Sequence, residues 1–377
     1  MVDLKISRDK IDQIDRQIVK LFEERMEVAN EVAKYKIETG KPVLDKEREE
    51  AKLDTLGALS HSTFNERAVR ELFSQIMSIS RKYQYSVLPH KDVVTNFKKV
   101  EKLPVKEDTA VYYFGVSGSH TQQAMENFFG KKVKGISCVS FQGVMEAVEK
   151  GVADYGVLPI ENSSTGGITA NYDLLLNYKN SIVGEYVMRI DQCLLALPGT
   201  KLEEIKEVYS HPQGLAQCSE FMEGNSGIHG IECDSTAAAA KKVSEDKDKT
   251  QAAIGSRRAA EEYGLEILAD GIQKEKNNCT RFIIIGRDGI YEEDSDKMAL
   301  VIELPHKSGS LYRILSHFLY NDLNMTLIES RPIPGRNWEY RFFVDIEGNL
   351  DMPGVQNALR GIKEEAKHLR VLGNFKS

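Results

Sequence analysis

Eight positions between residues 11 and 35 step by three and four in strict alternation: Ile11, Ile14, Ile18, Leu21, Arg25, Val28, Val32 and Tyr35. That spacing lays them on one stripe of an α-helix, with one arginine inside an otherwise apolar seam. Gly40-Lys41-Pro42 ends the run. A helix of ~35 residues is ~50 Å long, too long for a compact three-helix monomer. Its stripe needs a partner, and a second copy of the same chain is the simplest one. Further helices are expected from about Asp45 to Leu59 and from about Asn65, the latter carrying Val69, Leu72, Phe73, Ile76 and Ile79.

The other 300 or so residues follow different rules. A chain of 377 residues, 41% hydrophobic and 28% charged, is expected to form two or three globular domains. Residues 89–108, Lys-rich with Pro89 and Pro104, read as a linker. From Thr109 to about residue 288 strand-like runs, one of them spanning 182–197, alternate with helical ones, predicting an α/β region with a mainly parallel sheet split into two lobes. From Lys297 the order is strand, helix, strand, strand, helix, strand, the βαββαβ arrangement of ferredoxin-like folds. The five cysteines are widely spaced with no CxxC pair. This excludes a disulfide scaffold or a cysteine zinc site and fits a reducing cytoplasm. No run approaches the ~20 apolar residues that span a bilayer, and the N-terminus has no apolar signal core. A net charge of −7 argues against a nucleic-acid binder. An anionic ligand must therefore be met by cations focused locally.

Arg25 is such a cation. Lys36 lies 11 residues further on, about three turns, so both point the same way ~16 Å apart along the axis. Long side chains can converge on one ligand between them; the plainer alternative is a cation snorkelling on a solvated face. Arg8 precedes Arg25 by 17 residues, ~26 Å along the axis, and can reach such a ligand only from the other chain of an antiparallel-type dimer. Ser80 and Gln84 share a face of the third helix. Together with Asp45, Arg48, Glu49 and the Lys41-Pro42-Val43 connection, these residues resemble the all-helical chorismate mutase family. The resemblance implies an intertwined dimer whose site borrows Arg8 and a Claisen rearrangement of chorismate to prephenate, a reaction that needs no cofactor and no metal. In it, Arg25 and Arg8 would clamp the two carboxylates, Lys36 and Gln84 would stabilise charge on the breaking ether oxygen, and Glu49 would accept from the ring hydroxyl.

In the α/β region, Gly115-Val116-Ser117-Gly118-Ser119 follows a strand and opens a helix, where free N–H groups bind anions. It is not GxGxxG, so dinucleotide binding is not expected. Strands also run into Pro159-Ile160-Glu161-Asn162-Ser163 and Ser210-His211-Pro212-Gln213, and Asn278-Cys279-Thr280-Arg281-Phe282 opens the last one. A tight turn, a turn histidine and a surface ion pair are the ordinary alternatives for these stretches. With Ser235-Thr236-Ala237-Ala238, the four stretches resemble prephenate dehydratase in kind and order. That implies a two-lobed domain with a cleft between the lobes, and loss of CO₂ and the ring hydroxyl from prephenate. Thr280 would serve the departing hydroxyl and Arg281 would hold a carboxylate. Glu161, Asn162, Ser119, Ser210 and His211 would position the rest.

The C-terminal unit carries Gly309-Ser310-Leu311 at a helix start and Glu329-Ser330-Arg331-Pro332 on a strand. These resemble the ACT regulatory domain of prephenate dehydratases, with Ser310 in place of the usual alanine. The implied effector is phenylalanine, bound near Gly309, Ser310, Leu311, Glu329 and Ser330. The three resemblances imply a multidomain chain: an all-α mutase domain over 1–88, a two-lobed α/β dehydratase domain over 109–288 and an α+β ferredoxin-like ACT domain over 297–377. They imply a cytoplasmic enzyme of phenylalanine biosynthesis, a homodimer or a tetramer of such dimers. It would bind chorismate, prephenate and phenylalanine, and neither nucleic acid nor membrane. The rival is a non-enzymatic amino-acid sensor, which has no use for the N-terminal cation set or for Thr280-Arg281.

Overall fold

The computed structural model describes residues 3–88, 96–225 and 227–377. It divides into two compact units, one built from residues up to 88 with 301–370, the other from 96–300 with 371–377.

In the first unit, α1 (Leu4–Thr39) starts at Asp3, whose carboxylate accepts from the Lys5 and Ile6 N–H groups. It stops at Gly40, whose φ of 68° suits a residue without Cβ. Asp45 caps α2 (Lys46–Gly57) and Ser62 caps α3 (Thr63–Val87), so short polar side chains satisfy both helix starts. Only Ala29 and Ala33 of α1 are buried. Ile11, Ile14, Ile18, Leu21, Val28 and Tyr35 are all more than half exposed, leaving the predicted stripe uncovered within one chain. Among the described residues no helix is long and apolar enough to cross a membrane.

The same unit holds most of the βαββαβ module: strands Lys297–Glu303, Met325–Pro332, Tyr340–Glu347 and His368–Phe375, with helices Ser310–Leu319 and Pro353–Glu365. Its strands stand in the order second, third, first, fourth. Tyr85 of α3 bonds Glu364 of the second helix at 2.7 Å, and Lys82 bonds Ser316 of the first at 2.8 Å.

The second unit is α/β, but its sheets are mixed, not mainly parallel. Ala110–Phe114 pairs in parallel with Lys134–Cys138 and Tyr155–Asn162. Cys279–Gly286 lies antiparallel between Tyr155–Asn162 and Ser181–Arg189. The second sheet runs Glu266–Ala269, Cys193–Ala196, Gln251–Gly255, Glu207–Ser210, His229–Glu232. The apolar run expected as one strand over 182–197 is two strands. It breaks at Ile190–Gln192, where the chain leaves one sheet for the other. The return segment runs beside it: Ile190 N–H donates to Asn278 O at 2.8 Å and Ile272 N–H to Gln192 O at 3.0 Å.

The expected linker lies outside the described residues at 89–95. Within its remainder, Phe97–Val100 forms a strand parallel to Gly289–Glu292. Phe97 and Val100 at its ends are half-buried and Lys98 and Lys99 between them are exposed. All five cysteines are free.

Candidate active sites

The helical site is a pocket of about 330 Å³ between α1, α2 and α3. Arg25 and Lys36 reach it from α1, Asp45, Arg48 and Glu49 from the start of α2, Ser80 and Gln84 from α3. Arg25 Nη1 donates to Ser80 Oγ, and Ser80 Oγ donates in turn to Ile76 O at 2.9 Å. Lys36 Nζ donates to Val43 O at 2.6 Å, in the bend before α2. Burial lowers the pKa of both cations. Glu49 opposes this at Arg25; Asp45, Glu364 and Glu49 oppose it at Lys36. Gln84 is buried and its Oε1 has no hydrogen-bond partner, so its amide is available to a ligand. Arg8 is exposed and is not among the residues lining this pocket.

Among the lining residues that went unforeseen is Arg81. Arg81 is buried, and its Nη1 donates to both Glu49 oxygens, at 2.6 and 2.5 Å. Met77, Ser80, Arg81 and Gln84 fall at i, i+3, i+4 and i+7, so the helical period that groups Ser80 with Gln84 includes Arg81 too.

The second site is a cleft of about 630 Å³ between the two sheets of the α/β unit. Thr280 lines it, and its Oγ1 accepts from Asn162 Nδ2 at 2.9 Å. Asn162 Nδ2 also reaches Asn278 Oδ1 at 2.7 Å, while its Oδ1 accepts from Ser164 and Thr165 N–H. The polar loop after the Tyr155–Asn162 strand is thus folded around this one amide. Ser119, His211 and Ser235 all line the cleft, and each caps the start of a helix: His120–Phe129, Pro212–Gln217 and Thr236–Asp246. Their first N–H groups and positive dipole ends accumulate at the cleft. Among the described residues no Lys or Arg lines it.

Three expected ligands stand elsewhere. Arg281 follows Thr280 in a strand, so it points to the opposite face. Its Nε donates to Glu185 at 2.6 Å and its Nη1 lies 3.5 Å from Glu161, which leaves the cleft with it. Ser210 is fully buried and bonds Ile254 O at 3.0 Å. None of these three lines the cleft. His120 does, though it was not foreseen. Burial pulls its imidazole down to about 4, against the pull of Asp191, and its Nε2 has no partner. Gln213 of the Ser210-His211-Pro212-Gln213 stretch also lines the cleft, as do Gln192 and Gln217; the last two carry neither charge nor motif and leave no signal in one sequence.

In the C-terminal module Gly309 takes φ 73° ahead of its helix, Ser310 is buried beside Arg313 at 3.2 Å, and Ser330 is exposed. Leu311 and Glu329 are half-buried.

Comparison with known proteins agrees with this division. Residues 7–85 match the type II chorismate mutase family and residues 111–290 the prephenate dehydratase family. A bifunctional chorismate mutase/prephenate dehydratase of Enterobacter agglomerans is 34% identical over 98% of this chain and 95% of its own. One from Aquifex aeolicus is 33% identical over 100% and 98%. Among solved structures, a prephenate dehydratase from Arthrobacter aurescens in complex with L-Phe aligns at TM-score 0.66. It shares 32% identity, covering 71% of this chain and 90% of its own.

Proposed function

The chain belongs to the bifunctional chorismate mutase/prephenate dehydratases, and from that membership we propose how its residues divide two consecutive reactions. It rearranges chorismate to prephenate, then decarboxylates and dehydrates prephenate to phenylpyruvate. We assign 1–88 to the first activity, 109–288 to the second and 297–377 to regulation.

For the rearrangement, the supporting observation is the convergence of Arg25, Lys36, Glu49, Ser80 and Gln84 on one pocket. The substrate is a dianion whose ether C–O bond breaks as a new C–C bond forms in a chair-like conformer. Arg25, steadied by Ser80, takes one carboxylate. Arg8 of a second copy takes the other, which supports a dimer closed over the exposed α1 stripe. The ether oxygen gains charge, and Lys36 and Gln84 donate to it. Lys36 spends one of three N–H bonds on Val43, which aims the others. Glu49 accepts from the ring hydroxyl.

For the dehydration, the C–O bond breaks as CO₂ leaves, and the departing hydroxide takes a proton to become water. Because Thr280 Oγ1 accepts from Asn162, its own O–H is free to donate into the cleft. A free alcohol is a weak acid, so Thr280 hydrogen-bonds the leaving oxygen and solvent makes up the net proton. With no Lys or Arg lining the cleft among the described residues, the carboxylates go to the N–H groups starting the His120–Phe129 and Thr236–Asp246 helices. Arg281 braces the strand behind.

The C-terminal module is a ferredoxin-like ACT domain that binds phenylalanine and inhibits. Its strand order and the free helix start at Gly309 support this. Five free cysteines suit a cytoplasmic setting. The test is ultraviolet absorbance after adding chorismate. Lys36→Ala should stop chorismate consumption yet leave added prephenate convertible, and Thr280→Ala should do the reverse. Loss of both activities in either variant would end the division of labour.

A further inference from the structure

Arg81 is a cation between two carboxylates. One guanidinium nitrogen, Nη1, holds Glu49 in the mutase pocket; the other, Nη2, donates to Glu365 Oε1 at 2.9 Å. Glu365 belongs to the Pro353–Glu365 helix of the C-terminal module, and His317 Nε2 of the Ser310–Leu319 helix backs it at 3.3 Å. Side-chain exposure is 25% at Glu49 but only 6% at Arg81, 9% at Glu365 and 1% at His317. The row starts at the pocket and ends in a core.

This arrangement answers a problem in the pocket. Chorismate brings two negative charges, and a loose Glu49 carboxylate beside it would repel them. Arg81 neutralises Glu49 and contacts both its oxygens. Alone, Arg81 would be a third mobile cation, free to follow either the substrate or Glu49. Glu365 occupies its other terminal nitrogen, so the planar fork is held at both ends.

We propose that Arg81, anchored by Glu365 of the C-terminal module, is a positioning residue for the mutase reaction: it sets the Glu49 carboxylate where the ring hydroxyl of chorismate must donate. The idea rests on the reading of Glu49 given above. A residue from far along the chain thereby helps to shape the first active site.

The experiment compares kcat/KM for chorismate and for its analogue lacking the ring hydroxyl, in the full-length protein and in Arg81→Lys, Glu365→Gln and Glu49→Gln. Helical circular dichroism and urea unfolding of each sample report that the helical unit is folded. Lysine keeps the charge but cannot hold both carboxylates as a fork, and glutamine keeps the shape of Glu365 without its charge. Both should lose roughly tenfold on chorismate, a partial loss of a charge-assisted hydrogen bond. On the analogue they should match the parent within about twofold, because the coupling they support is absent there. A bond that only holds two helices together would lower both substrates alike, and that result, or no loss on either, overturns the proposal. If Glu49→Gln itself treats the two substrates alike, the reading of Glu49 fails and takes the proposal with it. If Glu49→Gln discriminates and the other two do not, only the role of Arg81 falls.

Discussion

Thr280 and Arg281 are neighbours in one strand and serve opposite faces of its sheet. Thr280 Oγ1 takes a 2.9 Å bond from Asn162 inside the cleft, whereas Arg281 Nε gives a 2.6 Å bond to Glu185 behind it. Glu185 is also bound by Lys297 at 2.8 Å and has only 3% of its side chain exposed. Their substitutions should therefore separate cleanly. Thr280→Ala should lower dehydratase kcat by about 10² or more, the scale for losing a positioned proton donor, with stability and mutase rate unchanged. Arg281→Ala should leave KM for prephenate within about twofold and instead lower stability by roughly 3 kcal/mol, because a buried carboxylate loses a partner. Steady-state kinetics and urea unfolding on both variants decide this. A large KM rise in Arg281→Ala at unchanged stability would return Arg281 to the substrate.

Arg8 and Arg25 should complement each other between chains. Arg8 is exposed and outside the pocket that holds Arg25. In a shared-site dimer, mixing Arg8→Ala with Arg25→Ala chains creates one hybrid site that keeps both arginines. Unfolding and refolding the mixture should recover up to about a quarter of parental mutase activity: half the dimers are hybrid and one of their two sites is whole. No recovery, with heterodimers present, would mean that Arg8 does not cross.

Two groups give the stability–pH curve two separate steps. The His120 imidazole is held down from 6.5 to about 4, chiefly by burial. Between those values the unfolded chain binds a proton that the folded chain does not, so stability falls as pH drops through the window. His120→Phe should flatten that step. The Glu365 carboxyl is held down from 4.5 to about 2; burial pushes it up, but His317 and Arg81 outweigh that. Its contribution is present above 4.5 and is lost as pH falls toward 2, so Glu365→Gln should flatten only the lower step. Unfolding midpoints across a pH series test both, and a His120→Phe curve parallel to the parent's would show an imidazole that titrates normally.

How far these features were legible depends on the physics behind each. The α1 stripe and the Ser80–Gln84 pair are helical periodicities and can be read directly. So can the βαββαβ order, because its connections are short. Arg281 was misplaced because a motif records which residues are adjacent, whereas a strand sends adjacent residues to opposite faces. The break at Ile190–Gln192 was missed because the apolar run continues into Cys193–Ala196, buried in a different sheet. Strand direction in Cys279–Gly286 is set by a segment returning from the other lobe, which no local pattern records. Glu365 is 284 positions from Arg81, and only the fold makes them partners.

Phenylalanine should bind the C-terminal module at the cost of the dehydratase cleft. Gly309 takes φ 73°, and a Cβ there would come within 3.2 Å of Arg313 Nη1. The helix start that would take the amino acid's carboxylate is therefore shaped by a residue without a side chain. A ligand shifts an equilibrium only by preferring one arrangement of the protein, so inhibition requires phenylalanine to bind better when the cleft is in its unproductive form. Linkage then fixes the converse: a molecule that favours the productive cleft must weaken phenylalanine by the same factor, typically 5- to 150-fold. Phenylpyruvate is a suitable probe because it occupies the cleft without reacting. Calorimetric titration of phenylalanine with and without saturating phenylpyruvate should show the weaker affinity with phenylpyruvate present. Gly309→Ala should lose phenylalanine binding and inhibition together while keeping dehydratase kcat. Equal phenylalanine affinity in the two titrations would mean that the two sites are uncoupled, and phenylalanine binding and inhibition that survive in Gly309→Ala would mean that phenylalanine acts inside the cleft as a competitor and not through the C-terminal module.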